Sequence, residues 1–172
     1  HNGIKAGEWD VVIAGGMENM SLAPHLLSNS RKGYRMGDIK AVDSMVHDGL
    51  TDPYSGRHMG ECAELCAEKY ELSREDQDGF ALESYKKSQS AIEAGLFKNE
   101  LVTVEIPQRK GDPLQVDTDE EPFASPLDKM SKLRPAFKKE GTITAANASK
   151  INDGAAALLV CSQSKAEELG LK

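Results

Sequence analysis

The cysteines and histidines are the residues of this chain that could take part in covalent or metal chemistry. Cys62 and Cys66 are four positions apart, so on a helix they share a face and supply half of a metal site. No second pair of ligands has zinc-like spacing, because the histidines are scattered: His1, His25, His47 and His58. The spacing therefore favours two core-facing cysteines over a metal centre. Cys161, at the end of an apolar run, is also interpreted as a packing residue.

His58 stands between Gly56 and Gly60, at an expected junction between a loop and a helix. A ligand can approach the backbone closely beside glycine, so this position suits the wall of a pocket. A structural role at the start of the helix is the alternative. The acidic runs at 119–121 and 167–168 have no catalytic partner in the sequence and are interpreted as solvated surface.

Two runs, at 11–14 and 156–160, are apolar on both faces and predict two strands. This pattern is typical of strands buried inside a largely parallel sheet. Too few similar runs exist to complete that sheet, so we interpret it as incomplete. Gly15 and Gly16 predict a sharp turn after the first run. Residues 1–6 resemble the last turn of a helix whose beginning is absent.

The polar middle of the chain predicts a long loop followed by helices. Residues 21–54 are rich in Gly, Ser, Asn, Asp and Pro, which favours an irregular segment. A helix is expected over about 57–72, with a buried stripe of Met59, Cys62, Ala63, Cys66, Ala67 and Tyr70. Ser73 and Asp76 form a capping box that starts a second helix, ending at Gly95.

Shorter elements are expected in the second half. The pattern predicts a strand over 101–106, a short helix over 128–133, an extended segment over 142–145 and a final helix capped by Ser164.

Composition bounds the class of protein. A chain of 172 residues with 39% apolar residues can form a core of mixed α/β character. The net charge of −7 without a basic stripe argues against nucleic acid as a partner, and no apolar run approaches the roughly 18 residues of a membrane span. Three cysteines, an odd number, fit a reducing compartment, with the cytoplasm as the first expectation and the mitochondrial matrix as the alternative.

Four ordered segments cover essentially the whole chain and carry a family resemblance. They are VVIAGGMENMS at 11–21, DGLTD at 48–52 with HMG at 58–60, KLRPAF at 132–137, and GTITAANAS at 141–149 with NDGAA at 152–156. In this order and spacing they resemble the thiolases. The resemblance implies an α/β thiolase-like fold, made of part of the N-terminal sheet domain and an inserted loop domain.

The resemblance also implies a division of the chain and a role for each part. Residues 1–20 and 143–172 would belong to the N-terminal domain, and residues 21–142 to the loop domain that holds coenzyme A. The residues matched to coenzyme A binding are Leu50, His58, Met59, Lys129, Phe137, Ala148 and Ser149. Those matched to a potassium site, through a phenol and main-chain carbonyls, are Tyr85, Ala145, Ala146 and Ala148; plain core packing is the alternative for Tyr85.

The activity implied for the parent protein is condensation of two acetyl-CoA molecules to acetoacetyl-CoA, and the reverse, with no redox cofactor. The pair His58 and Met59 resembles the acetoacetyl-CoA branch of the family. A 3-ketoacyl-CoA thiolase of fatty-acid degradation and a non-catalytic relative that binds coenzyme A or lipid are the alternatives. None of the three cysteines matches a catalytic position, so the nucleophilic Cys and the base His are expected outside this chain, which alone would be inactive. The excursion at 31–43 resembles the loop that assembles a homotetramer as a dimer of dimers; plain solvated surface is the alternative for its basic cluster.

Overall fold

The computed structural model describes residues 1–124 and 127–171 of the chain. Its contacts divide the chain into two compact units, the first made of residues 1–50 with the residues from 151 on, and the second of residues 51–150. In chain order the regular elements are α1 (Asn2–Lys5), β1 (Val11–Asn19), β2 (His25–Leu27), β3 (Ala41–Asp43), α2 (Met59–Lys69), α3 (Arg74–Glu93), β4 (Val104–Ile106), β5 (Leu114–Val116), α4 (Glu121–Ala124), β6 (Asp153–Cys161) and α5 (Gln163–Glu168).

The two apolar runs at the ends of the chain pair with each other in the first unit. Strands β1 and β6 form an antiparallel ladder in which Val11 faces Cys161 and Asn19 faces Asp153. The expectation of a parallel sheet is therefore wrong for this pair. Apolar residues on both faces of a strand indicate that both faces are covered, but they do not indicate the direction of the neighbouring strand. Within the described chain these faces are largely open: Ile13 is 77% exposed and Leu158 is 70% exposed.

The predicted turn at Gly15 and Gly16 is also wrong, because β1 continues through both residues to Asn19. A Cβ atom at Gly15 would meet the backbone oxygen of Ala156 at 2.5 Å. Glycine therefore allows the close approach of β6 rather than a turn.

The segment expected to be irregular contains short elements. Strands β2 and β3 form a small antiparallel ladder, a 3-10 turn lies at Ser30–Lys32, and a π-helical turn lies at Met45–Gly49. Their brevity explains why no hydrophobic period was visible in the sequence.

Helix α2 of the second unit buries only part of the predicted stripe. Ala67 is buried as predicted and Cys62 and Ala63 are half-buried, whereas Met59, Cys66 and Tyr70 are exposed. Gly60 and Glu64 are buried on the same helix face as Ala67. This face is rotated from the predicted stripe because the Glu64 carboxylate is buried there with its hydrogen bonds.

Helix α3 agrees with its sequence signals. The Ser73 side chain accepts a hydrogen bond from the Asp76 backbone at 3.1 Å, and Gly95 has a φ of 68° beyond the helix end. Such a left-handed residue after a helix favours glycine.

The remaining predictions hold in part. The strand expected over 101–106 is the shorter β4, which pairs with β5, and the helix near 128–133 is a 3-10 helix at Leu127–Lys132. Residues 142–145 lie outside any strand ladder. Ser162, rather than Ser164, caps α5 by accepting a hydrogen bond from the Lys165 backbone.

Candidate functional site

His58 is the N-cap of α2, and its ring is held in one orientation. Nδ1 accepts a hydrogen bond from the Gly60 backbone N–H at 3.0 Å, while the Glu61 carboxylate accepts one from the His58 backbone N–H at 3.0 Å. A ring nitrogen that accepts a hydrogen bond carries no proton, so the proton of the neutral ring is on Nε2. His58 therefore presents Nε2–H as a donor.

Phe137 stacks on the His58 ring, with the ring centroids 4.8 Å apart and the planes at 26°. Gly60 makes room for this ring, since a Cβ atom there would collide with the edge of Phe137. Met59, the first residue of α2, is 40% exposed. The start of α2 thus joins a half-buried aromatic surface to an oriented imidazole.

Glu64, one and a half turns along the same helix, fastens a loop that returns beside it. Its side chain is only 7% exposed relative to full accessibility. Oε1 accepts from the backbone N–H groups of Thr142 at 3.0 Å and Ile143 at 2.9 Å, and Oε2 accepts from the Thr142 backbone and hydroxyl at 3.0 and 3.2 Å. Burial alone would raise the pKa of Glu64, but these hydrogen bonds outweigh it and hold the pKa below its ordinary value of 4.5.

The residues that follow, 142–149, form a compact turn that we call the 142–149 loop. Thr144 is completely buried, and its hydroxyl accepts from the backbone of Ala146 at 3.3 Å. Asn147 Oδ1 accepts from the Thr144 backbone at 2.7 Å, and its amide donates to the Thr142 carbonyl at 3.0 Å. Ala148 donates its N–H to the Thr144 carbonyl at 3.0 Å. The loop is therefore closed by its own polar side chains.

Helix α3 anchors the loop from the other side. Asp78 accepts from the Asn147 amide at 2.9 Å and forms an ion pair with Arg74 at 2.7 Å. The guanidinium of Arg74 also donates to the carbonyls of Met130 at 3.0 Å and Leu133 at 3.2 Å. One helix therefore positions both the 142–149 loop and the 3-10 helix that carries Lys129.

A lysine completes the end of the loop. Lys150 Nζ donates to the Ala145 carbonyl at 2.9 Å and forms an ion pair with Glu121 at 2.8 Å. The Tyr85 hydroxyl lies in the same cluster and donates to Glu121 at 3.4 Å. Partial burial disfavours the charged ammonium, but hydrogen bonds to Glu121 and Tyr85 outweigh it and raise the pKa of Lys150 above 10.5.

The structure brings some of the predicted coenzyme A residues together and separates others. His58 and Phe137 are in direct contact, and the backbone of Ala136 donates to Ile143, which joins their surroundings to the 142–149 loop. Ala148 is half-buried and Ser149 exposed at the end of that loop, and Lys129 is exposed on its 3-10 helix. Leu50 belongs to the first unit, where it follows the π-helical turn.

The predicted potassium ligands lie on two elements, Tyr85 on α3 and the three alanines on the 142–149 loop. Tyr85 is half-buried on α3, Ala145 is exposed, and Ala146 is buried. The residues that sequence reasoning missed are Glu64, Asp78 and Lys150. Their types alone suggest surface, because the burial and pairing of each depend on residues roughly 30–80 positions away in sequence.

One of the three cysteines, Cys66, does not have the packing role predicted for it. All three are free thiols, and Cys66 is exposed whereas Cys62 and Cys161 are half-buried.

Across residues 1–124 and 127–171, no group of three or more His, Cys, Asp and Glu side chains is arranged to hold a metal ion. No helix in the described part of the chain is long and apolar enough to cross a membrane.

Comparison with known proteins gives consistent matches along the chain. A family model described as "Thiolase, N-terminal domain" matches residues 1–164. The chain is 56% identical over 170 residues to an acetyl-CoA acetyltransferase of Chromobacterium violaceum, covering 98% of this chain and 43% of that protein. It is 53% identical over 174 residues to a probable acetyl-CoA acyltransferase of Staphylococcus epidermidis, covering 100% of this chain and 44% of that protein.

A solved acetyl-CoA acetyltransferase from Syntrophomonas wolfei superposes with a TM-score of 0.86 at 46% identity. That match covers 99% of this chain and 43% of the solved chain. The chain therefore spans less than half the length of the relatives it matches. The expected α/β thiolase-like fold is confirmed.

Proposed function

Since the chain belongs to the thiolase family, we propose that its protein is an acyltransferase that condenses two acetyl-CoA molecules to acetoacetyl-CoA and catalyses the reverse reaction. In this proposal residues 51–150 contribute the coenzyme A site. The observation that carries the proposal is the His58–Phe137 stack beside a loop that Glu64 and Asn147 hold in one conformation. The names of the relatives from Chromobacterium violaceum and Syntrophomonas wolfei support the acetyl substrate.

The proposed site suits the flexible arm of coenzyme A, which offers methylenes and amides. Phe137 and Met59 present apolar surface, and the oriented Nε2–H of His58 can donate to a carbonyl oxygen. Ala148 and Ser149 supply backbone and hydroxyl partners for the amides. Lys129, exposed and cationic, suits the phosphates of the nucleotide end.

The proposed chemistry is a ping-pong acyl transfer. A cysteine thiolate attacks the acetyl carbonyl of one acetyl-CoA, forming a thioester and releasing coenzyme A. A base then removes a proton from the methyl of a second acetyl-CoA, and the carbanion attacks the thioester and restores the thiolate. We place the nucleophilic Cys and the base His outside residues 1–172.

The two other roles expected for the chain remain part of the proposal. Residues 31–43 would contribute to a homotetramer built as a dimer of dimers. A cytoplasmic location remains the proposal, with the mitochondrial matrix as the alternative.

Binding of acetyl-CoA to the chain, followed by isothermal titration calorimetry, tests the coenzyme A site. Truncation of Phe137 to Ala should weaken binding roughly 10- to 100-fold, because burying one aromatic side chain contributes about 1.5–3 kcal/mol. Phe80→Ala is the matched control, since Phe80 is exposed on α3. Equal affinity of Phe137→Ala and wild type would remove Phe137 from the site, and failure of the wild-type chain to bind would remove the site itself.

The name of the Staphylococcus epidermidis relative leaves a broader acyl specificity as the second candidate. A 3-ketoacyl-CoA thiolase of fatty-acid degradation would cleave long-chain 3-ketoacyl-CoA faster than acetoacetyl-CoA. A non-catalytic relative would bind coenzyme A or lipid and cleave neither. Turnover of both substrates by the full-length gene product separates these three functions.

A further inference from the structure

The ammonium group of Lys150 joins two segments of the second unit. It donates to the Ala145 carbonyl at 2.9 Å and forms an ion pair with Glu121 Oε1 at 2.8 Å. The Tyr85 hydroxyl donates to the same Glu121 oxygen at 3.4 Å, which places this phenol beside the ion pair.

The Ala145 carbonyl and the Tyr85 hydroxyl are groups that the family resemblance assigns to potassium. A potassium ion bound to both would lie beside the Lys150 ammonium and compete with it for the Ala145 carbonyl. Like charges at such short separation repel, and partial burial weakens screening by water. The cluster therefore suits one cation, and the chain already supplies it.

We propose that Lys150 is a built-in cation that holds the 142–149 loop in place of a monovalent metal ion, so that the chain needs no potassium at Tyr85 and Ala145. Lys150 is a positioning residue. It ties the loop carbonyl to Glu121 at the start of α4, and the same carboxylate accepts a hydrogen bond from Tyr85 of α3. The inference requires only this geometry and is independent of the proposed acyl transfer.

Thermal unfolding of the chain in potassium chloride and in choline chloride at equal ionic strength tests the proposal. The wild-type chain should have the same midpoint in both salts. Lys150→Met keeps the length of the side chain and removes its charge, and its midpoint should fall by roughly 2–4 °C in choline chloride. Potassium or ammonium should recover part of that loss in a saturable way, because the vacated acceptors would then bind a free cation.

Lys139→Met is the matched control, since Lys139 is exposed and outside the cluster; it should show neither the loss nor the recovery. A midpoint of the wild-type chain that rises specifically in potassium would overturn the proposal. So would a Lys150→Met variant that matches the control, or one that no cation stabilises.

Binding of thallium(I), a potassium probe, to the wild-type chain gives a measurement that does not depend on a folded variant. Thallium NMR should detect no saturable site, and saturable binding that Tyr85→Phe weakens would contradict a built-in cation. Neither readout involves coenzyme A, so failure of this inference and failure of the proposed function can be distinguished.

Discussion

Substitution of Glu64 by Gln tests whether one buried carboxylate holds the 142–149 loop against α2. The carboxylate accepts from two backbone N–H groups and one hydroxyl: Oε1 accepts from Thr142 and Ile143, and Oε2 shares the Thr142 N–H and accepts from the Thr142 hydroxyl. Gln keeps the shape but replaces one oxygen by an amino group. The better orientation keeps the oxygen at the Oε1 position, which leaves the new amino group facing the Thr142 N–H, donor against donor.

The loss of stability follows from the hydrogen bonds that are absent in this orientation of the Gln side chain. The Thr142 hydroxyl already accepts from Gln77 at 3.0 Å, so it would have to accept a second hydrogen bond from the amide instead of donating one. Hydrogen bonds to a charged group contribute about 1.5–3 kcal/mol, and roughly one such bond is lost. We therefore expect Glu64→Gln to lower the free energy of unfolding of the second unit by about 1.5–3 kcal/mol, which corresponds to a fall of roughly 3–10 °C in Tm.

Urea unfolding followed by circular dichroism measures this difference. Glu68→Gln is the matched control on the same helix, where an exposed carboxylate pairs with Lys138 at 3.4 Å, and its effect should be below about 0.5 kcal/mol. If the two variants have the same midpoint, Glu64 does not hold the loop and the reasoning is wrong.

The difference in stability between wild type and Glu64→Gln should also depend on pH. Because folding lowers the pKa of Glu64 below 4.5, its contribution is complete above pH 4.5 and is lost as the pH falls through the folded value. The difference in stability between wild type and Glu64→Gln should therefore narrow below pH 4.5. A difference that stays constant or grows on acidification would contradict a depressed pKa.

Two further substitutions test the packing around the site. Gly60→Ala should destabilise the chain by about 1–3 kcal/mol and weaken acetyl-CoA binding, because the added Cβ collides with Phe137. Gly79→Ala on α3 is the control, since a Cβ there meets nothing within 4 Å. It should stabilise the chain by about 0.5–1 kcal/mol in the same thermal assay. Asn147→Ala should lower the free energy of unfolding in urea by about 2–3 kcal/mol, because it leaves the buried Thr144 N–H and the Asp78 carboxylate without this partner. An unchanged midpoint would show that Asn147 does not close the loop.

Local signals in the sequence predicted the elements whose ends are defined by neighbouring residues. The capping box of Ser73 and Asp76 and the left-handed Gly95 bound α3 as expected, since caps act within a single turn of helix. The direction of β6 beside β1 was predicted wrongly, because hydrophobic pattern determines which faces are covered but not which way the neighbour runs.

The residues of the candidate site were also predicted only in part from the sequence. Ordered motifs determined the family and pointed to His58 and Phe137, which the structure places in contact. Their relation to coenzyme A stays a prediction.

By itself, the sequence determined the family, the α/β class and the start of α3, because those depend on residue identities and spacings within short segments. Only the tertiary structure decided that Glu64 is buried, that Asn147 bonds Asp78 and that Lys150 sits among acceptors. Each of these depends on a partner on a distant element. The free energy of a buried charge depends on those partners, and no local pattern contains them.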